Sequence, residues 1–325
     1  MDRRAFMSAA ACGLLAGPRM ARAQLPAMPL VGFVRSSSIQ TVGYLVIAFR
    51  EGLKGTRYIE GQNVTLDVRS ADDHYEKLPG LFAELIHRRA AVLVANEIAA
   101  RAAKAATTTV PIVFATGGDP VRDKLVESLN RPGGNITGVT FFTTTLGTKK
   151  LELVRELVPK ATTIGVLENG RDRSGQSERI DVVNAVRAAG QRTVVVNASS
   201  AQEIDTAFAT LARERAGALV LTGDALFLSR RDTLIALAAR YAIPTIYYLR
   251  ACVTDGGLVS YGASIAEAYR QVGIYAGRIL KGERPGKLPV VQPTKFELVI
   301  NMRTARALGL TIPPPLLALA DEVIQ

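Results

Sequence analysis

Hydrophobic residues along the chain form short β-branched runs that alternate with longer amphipathic segments. The first run, LVGFVR at 30–35, precedes a segment whose hydrophobic residues recur at steps of three and four: Val42, Leu45, Val46, Phe49 and Leu53. Such a step buries one face of a helix, whereas a short β-branched run is typical of a strand. The alternation predicts an α/β fold in which crossover helices connect parallel strands.

The strand and helix order of the first half of the chain restarts in the second half. A strong turn signal, RPGGN at 131–135, separates the two halves. The predicted strands are at 30–35, 63–69, 91–95 and 111–115, and then at 163–168, 192–197 and 218–222. Because 325 residues exceed what one hydrophobic core usually organises, we expect two similar lobes, each a parallel sheet flanked by helices.

The rest of the chain predicts three extended passages between the lobes, near Gly138, Tyr261 and Gln292. Several crossings make a hinge, since the lobes can rotate about them without unfolding either core. The predicted N-terminal lobe contains residues 24–138 and 263–291, and the predicted C-terminal lobe contains residues 139–262 and 292–325.

The N-terminus has the features of an export signal. Arg3 and Arg4 precede an apolar stretch at 6–17, and the small residues at 21 and 23 fit the cleavage rule for signal peptides. We therefore expect cleavage near Ala23 and a mature protein in the periplasm. The paired arginines resemble a twin-arginine signal, and the general secretory route stays open as the alternative. No later run approaches the roughly 20 apolar residues that a membrane helix needs.

The formal net charge is +11, and it falls to +8 once residues 1–23 are removed, since four arginines and one aspartate leave with them. The positive charge is diffuse, and no arginine-rich stripe alternates with aromatic residues. We therefore expect no nucleic-acid partner, and a positive field that favours anionic ligands or an acidic partner surface.

The sequence contains no recognisable catalytic or cofactor motif. It has neither a nucleophile motif nor a P-loop, so we expect no enzyme activity. His74 and His87 are too few for a metal site, and Cys252 alone survives processing. We expect neither a metal nor a cofactor.

Ligands of open parallel sheets bind outside the carboxyl ends of the strands. That rule selects the following residues as ligand contacts: Ser36, Ser37, Ser38, Thr116, Gly117, Asp119, Asn169, Thr222 and Asp224. For the serines and the two aspartates, helix capping is the alternative interpretation. For Asn169 the alternative is a solvated loop. Aromatic walls supply much of a small ligand's burial, and the candidates are Phe141, Phe142, Tyr247 and Tyr261.

Four strings identify a family resemblance: PIVFATGGDPV (111–121), SLNRPGGNITGVT (128–140), GGLVSYGAS (256–264) and the segment from ILKGERPGKLP to LGLTIPPPLL (279–317). In this order they resemble the substrate-binding proteins of ATP-binding-cassette transporters, specifically the tryptophan/tyrosine-type family with the type I periplasmic binding fold. The resemblance implies that the loops at 94–100 and 167–175 face the cleft. Asn96 and Glu97 stand where the family pattern leads us to expect a Gly-Thr or Gly-Ser turn.

The resemblance implies a monomeric receptor that captures a small carboxylate-bearing molecule, an amino acid or an aromatic acid, by hinge closure. Its implied partners are a permease and an ATPase, which it reaches by peripheral docking at the membrane. An exported receptor that passes its closed state to a signalling protein is the alternative function.

Overall fold

The structure, a computed structural model, describes residues 28–141, 146–171, 174–292 and 296–325. The predicted export signal at 1–23 and the aromatic candidate Phe142 lie outside the described residues.

The first sheet contains five parallel strands in the order β2-β1-β3-β4-β5. The strands are β1 (Leu30–Arg35), β2 (Thr65–Ser70), β3 (Val92–Asn96), β4 (Ile112–Thr116) and β5 (Ile136–Thr140). The helices between them are α1 (Gly43–Gly55), α2 (Leu78–His87) and α3 (Glu97–Ala106). Every residue of β3, β4 and β5 is buried, because helices cover both faces of a parallel sheet. We call this sheet, with its helices, the first lobe.

The second sheet contains seven strands in the order β12-β11-β10-β9-β8-β6-β7. The strands are β6 (Thr163–Glu168), β7 (Arg192–Asn197), β8 (Ala218–Leu221), β9 (Thr245–Tyr247), β10 (Val259–Gly262), β11 (Glu297–Asn301) and β12 (Glu322–Ile324). The helices in the same part of the chain are α4 (Gly147–Leu157), α5 (Ser174–Ala188), α6 (Ala201–Arg213), α7 (Ala225–Ser229), α8 (Arg231–Arg240), α9 (Arg250–Thr254), α11 (Met302–Ala307) and α12 (Pro314–Leu319). We call this sheet, with its helices, the second lobe.

The prediction of two α/β lobes with parallel sheets is confirmed, with one addition. Strand β11 runs antiparallel to β10, and β12 runs parallel to β11. The chain returns from the first lobe just before β11, at the edge where the parallel strands of the second sheet end. A strand that starts at that edge has to run the opposite way. The lobe boundaries given above stay a prediction.

The passages between the two sheets lie side by side. The amide of Val291 donates to the carbonyl oxygen of Gly138 (3.0 Å), and the amide of Thr140 donates to the carbonyl oxygen of Val291 (2.9 Å). Tyr261, at the end of β10, stacks on Phe296 with ring centroids 6.2 Å apart. The first and third passages are thus paired by backbone hydrogen bonds, and the second contacts the third through aromatic rings.

Helix α10 (Ile265–Leu280) follows β10 and packs against α1 in the first lobe. The two helices approach closely because a glycine of each helix lies against the backbone of the other. A Cβ atom added at Gly52 would lie 1.8 Å from the carbonyl oxygen of Arg270, and one added at Gly273 would lie 2.1 Å from that of Phe49. A methyl group at either position therefore has to force the helices apart.

We expect Gly273→Ala to lower the free energy of unfolding by about 1–3 kcal/mol or more, since overpacking a close contact costs that much. Chemical denaturation of the purified protein measures the change. Gly80→Ala is the matched control, because a Cβ at this exposed position of α2 would meet no atom within 4 Å. There alanine should raise the free energy of unfolding by up to about 1 kcal/mol. Equal effects at the two sites would contradict the packing argument.

Candidate functional site

A cavity lies between the carboxyl ends of the two sheets. We call it the inter-lobe cavity. Residues of both lobes line it: Arg35, Asn96, Glu97, Ala115, Phe141, Asp224, Ala225, Leu228, Tyr248, Ile265 and Tyr269. The cavity thus combines one cation, two carboxylates and three aromatic rings with small and aliphatic side chains.

Arg35 is the cation of this cavity, at the last position of β1. Its guanidinium is almost completely buried, with 1% of the residue exposed. Its Nη1 donates to the hydroxyl of Tyr269 (2.6 Å), and its Nη2 donates to that of Ser37 (3.2 Å). Its Nε is buried and has no hydrogen-bond partner among the described residues. A buried guanidinium held by two neutral hydroxyls has a donor left over.

The ends of β1, β3 and β4 are linked through two side chains. The Asn96 side-chain oxygen accepts from the Ser36 amide (2.8 Å), and its Nδ2 donates to the Ser36 hydroxyl (2.9 Å). Glu97, the first residue of α3, accepts a hydrogen bond from the Gly117 amide (2.9 Å). Ser36 is thus bonded to Asn96 and Gly117 to Glu97, and Asn96 and Glu97 are neighbours in the chain on the first-lobe side of the cavity.

Asp224 supplies the carboxylate of the second lobe. Its Oδ1 accepts from the Leu226 amide (2.7 Å), so it caps α7, and its Oδ2 accepts from the side-chain amide of Asn169 (3.2 Å). The hydroxyl of Tyr248 donates to the Asp224 carbonyl oxygen. Burial raises the pKa of the Tyr248 phenol well above its ordinary value, so it stays a neutral donor at physiological pH.

The structure places the other predicted site residues as follows. Ser37 and Ser38 follow β1, and neither caps a helix; the Ser37 hydroxyl accepts from Arg35. Asp119 accepts from the amides of Val121 and Arg122 and so caps a turn rather than a helix.

Of the predicted residues, Asn96, Glu97, Phe141 and Asp224 line the inter-lobe cavity, and ten others do not: Ser36, Ser37, Ser38, Gly117, Asp119, Asn169, Thr116, Thr222, Tyr247 and Tyr261. The last four have their contacts elsewhere. The Thr116 hydroxyl accepts from the Gly118 amide (3.1 Å), and the Thr222 hydroxyl donates to the Leu167 carbonyl oxygen (3.1 Å), each within its own lobe. Tyr247 packs against Gly257 inside the second lobe, and Tyr261 stacks on Phe296 at the passages.

Sequence reasoning missed Arg35, Tyr248, Tyr269, Leu228 and Ile265. Arg35 carried a usable signal, because it is a charged residue that ends the otherwise apolar strand LVGFVR. Tyr248 follows the predicted Tyr247 directly, and neighbouring residues of an extended chain point to opposite sides. Tyr269 belongs to the buried face of α10, where helix periodicity alone predicts a core residue.

Two polar contacts join the lobes at the rim of the cleft. Arg230 donates to the Asp73 carboxylate (2.9 Å), and the side-chain amide of Asn169 donates to the Tyr75 hydroxyl (3.3 Å). Asp73 and Tyr75 belong to the first lobe, and Arg230 and Asn169 to the second. Contacts of this length require the lobes to be close together, so the structure is a closed form.

The described residues contain no group of three or more His, Cys, Asp or Glu side chains that could hold a metal ion. Within the same ranges, every helix is too short or too polar to cross a bilayer.

Two lobes of this topology, with a polar and aromatic cavity between their strand ends, define a two-lobed ligand-binding protein. A model of the family described as ABC transporter substrate binding protein matches residues 39–324. The chain belongs to this family, and the predicted resemblance and type I periplasmic binding fold are confirmed.

Three relatives are similar over most of their length. A tyrosine-binding protein of Clostridioides difficile (strain R20291) is 27% identical over 263 residues, which are 81% of this chain and 75% of that protein. The crystal structure of a conserved domain protein from Vibrio cholerae has a TM-score of 0.85 and 27% identity, covering 91% of this chain and 99% of that one. The ABC domain in complex with L-Trp from Streptococcus pneumonia has a TM-score of 0.83 and 24% identity over the same shares.

We expect Arg230→Ala to shift the equilibrium between closed and open forms toward the open form by about fivefold. The variant leaves Asp73, which is mostly buried, without its ion pair, and a partly exposed pair is worth about 1 kcal/mol. Small-angle X-ray scattering of the ligand-free protein measures the change as a larger radius of gyration. Arg192→Ala is the control, because the Arg192–Glu214 ion pair lies within the second lobe. Identical scattering of the two variants would contradict this role of Arg230.

Proposed function

We propose that this protein captures a single amino acid as a zwitterion, with an aromatic side chain, between its two lobes, and delivers it to an ATP-binding-cassette importer. The observation that carries the proposal is the arrangement of charge in the inter-lobe cavity. Arg35 of the first lobe and Asp224 of the second line the same cavity.

Opposite charges on opposite lobes complement a zwitterion. An arginine is the preferred partner of a carboxylate, since the two form paired charge-assisted hydrogen bonds. The free Nε of Arg35 supports this assignment. An ammonium group complements Asp224, and Glu97 of the first lobe adds a second carboxylate to the lining. A ligand that contacts both lobes binds the closed form better than the open form, which is the condition for closure.

The walls of the cavity favour an amino acid with an aromatic side chain. Phe141, Tyr248 and Tyr269 supply ring surfaces, and Leu228 and Ile265 supply aliphatic ones. The names of the relatives agree with this choice, since one is a tyrosine-binding protein and another is a structure in complex with L-Trp.

Family membership supports the transport role. Substrate-binding proteins of this kind act with a permease and an ATPase, and we propose the same two partners here. The N-terminal segment supports an exported, periplasmic location, because its arginine pair, apolar stretch and small residues near Ala23 form an export signal.

We expect the mature protein to bind L-tryptophan or L-tyrosine in isothermal titration calorimetry, and to bind analogues that lack one charge more weakly. Tryptamine lacks the carboxylate and 3-indolepropionate lacks the ammonium group. Each loss should weaken binding by about tenfold to a hundredfold, because it leaves a buried charge without its partner. Equal affinity for all three compounds would contradict recognition of a zwitterion.

Two variants assign the charges to residues. Asp224→Asn should weaken the amino acid but leave 3-indolepropionate nearly unchanged, since that analogue makes no ion pair with Asp224. Arg35→Met should weaken the amino acid but leave tryptamine nearly unchanged, since tryptamine has no carboxylate to pair with Arg35. Asp119→Asn is the control, because Asp119 caps a turn and does not line the cavity. Equal losses for both compounds in one variant would show general damage instead of a specific contact.

We expect replacement of Arg3 and Arg4 by lysine to block export if the twin-arginine route is used. Mass spectrometry of the periplasmic fraction should find the wild-type protein beginning at Gln24. Arg19→Lys, in the same segment but outside the pair, is the control and should be exported normally. Export of the paired variant at the wild-type level would instead indicate the general secretory route, and an uncleaved cytoplasmic wild-type protein would contradict export.

A further inference from the structure

Two oppositely charged side chains lie wholly inside the second lobe. Lys150 is in the first turn of α4, and Glu178 is in α5. They form an ion pair whose side chains are both 0% exposed. The helices meet closely beside the pair, since a Cβ added at Gly147 would lie 2.9 Å from the Glu178 carbonyl oxygen. Burial raises the pKa of Glu178, and the nearby Lys150 ammonium and the Gly223 amide oppose this rise.

Two further side-chain hydrogen bonds of the pair reach one short segment, which begins at Leu221, the last residue of β8. Lys150 Nζ donates to the carbonyl oxygen of Leu221 (3.3 Å), and Glu178 Oε2 accepts from the amide of Gly223 (2.9 Å). This segment ends at Asp224, the carboxylate of the inter-lobe cavity. We call residues 221–224 the binding loop.

The same pair also contacts the aromatic wall of the cavity. Lys150 Nζ lies 5.6 Å from the centre of the Tyr248 ring, within the range of a cation–π contact. Tyr248 in turn donates to the carbonyl oxygen of Asp224. The ammonium therefore fixes the binding loop from one side through Leu221 and from the other through Tyr248.

Stability alone does not account for such a pair. Removing two charges from water costs about as much as their attraction returns, and well-packed hydrophobic replacements are often neutral or stabilising. What a hydrophobic pair cannot supply is the two directed hydrogen bonds to the binding loop. The role that remains is to set the position of that loop.

We propose that Lys150 and Glu178 are positioning residues that hold Asp224 and Tyr248 in the geometry required for the ligand, and so determine affinity from outside the cavity. Neither residue lines the cavity. The inference rests on the proposed function for its ligand, and it concerns which residues set affinity at that site.

The test is the double variant Lys150→Met/Glu178→Leu, in which both charges are replaced by hydrophobic side chains of similar size. Three quantities are measured on the full mature chain: the melting temperature, the affinity for the amino acid that wild type binds best among tryptophan, tyrosine and phenylalanine, and amide hydrogen exchange of the binding loop. The matched control is Lys149→Met/Glu152→Leu, which removes an exposed Lys–Glu pair one residue earlier on α4.

We expect the double variant to melt near the wild-type temperature, to bind about tenfold more weakly, and to exchange the Gly223 amide faster, since residues of one hydrogen-bond network couple by that much. Exchange in β6 should not change, and the control should match wild type in all three quantities. A folded double variant with wild-type affinity and wild-type exchange would overturn the proposal.

Two further outcomes are distinguishable. If wild type binds none of the three amino acids, the proposed function fails, and the exchange of the Gly223 amide still decides whether the pair holds the loop. If the double variant does not fold, Glu178→Gln replaces it, because this change keeps the side-chain size and removes the negative charge. Faster exchange with weaker binding in that variant supports the proposal, and no change in either contradicts it.

Discussion

Burial of charge at the ends of parallel strands is the constraint on which this molecule depends. Arg35, Glu97 and Asp224 lie in an enclosed space where water no longer solvates them fully. A charge in such a place costs free energy unless hydrogen bonds and an opposite charge compensate it. The surrounding polar groups are arranged to supply part of that compensation: Tyr269 and Ser37 for the guanidinium, Gly117 for Glu97, and Asn169 and Leu226 for Asp224.

The architecture follows from the sequence because it depends on local patterns. Runs such as LVGFVR and TIGVLE have to be buried strands, and the spacing of hydrophobic residues between them has to bury one helix face. The rule that ligands bind at strand ends selects Asp224, the family resemblance adds the loop that carries Asn96 and Glu97, and the search for aromatic walls adds Phe141. All four line the cavity. Hydrophobic periodicity could not identify Tyr269 as a cavity residue. A tyrosine on the buried face of a helix has the same sequence spacing whether it faces the core or the cleft. Nor could periodicity show the pairing of Lys150 with Glu178, which depends on how α4 and α5 pack.

Helix capping and ligand binding were competing interpretations of Asp224. In the structure Asp224 caps α7 and also lines the inter-lobe cavity, so the two roles are compatible. One carboxylate oxygen accepts from the Leu226 amide at the start of α7, and the other accepts from Asn169. A cap fixes the rotamer of the side chain, so the carboxylate meets whatever enters the cavity in one orientation. Asp119 caps in the same way through Val121 and Arg122, but its turn does not line the inter-lobe cavity. The position of the capped segment, and not the cap itself, separates the two aspartates.

Asn169 connects the site to the rim of the cleft. Its side-chain amide donates both to Asp224, at the inter-lobe cavity, and to Tyr75, which belongs to the other lobe. An amide group of this size is rigid, so the two hydrogen bonds constrain one another. A ligand that fixes the Asp224 carboxylate therefore also fixes the donor that reaches Tyr75, and the nearby pair of Arg230 with Asp73 adds a second contact to the same closed form. The passages behind the cavity, with Val291 paired to Gly138 and Thr140, keep their hydrogen bonds if they bend together. On the proposed function, closure would change contacts at the rim while the strands of each sheet stay intact.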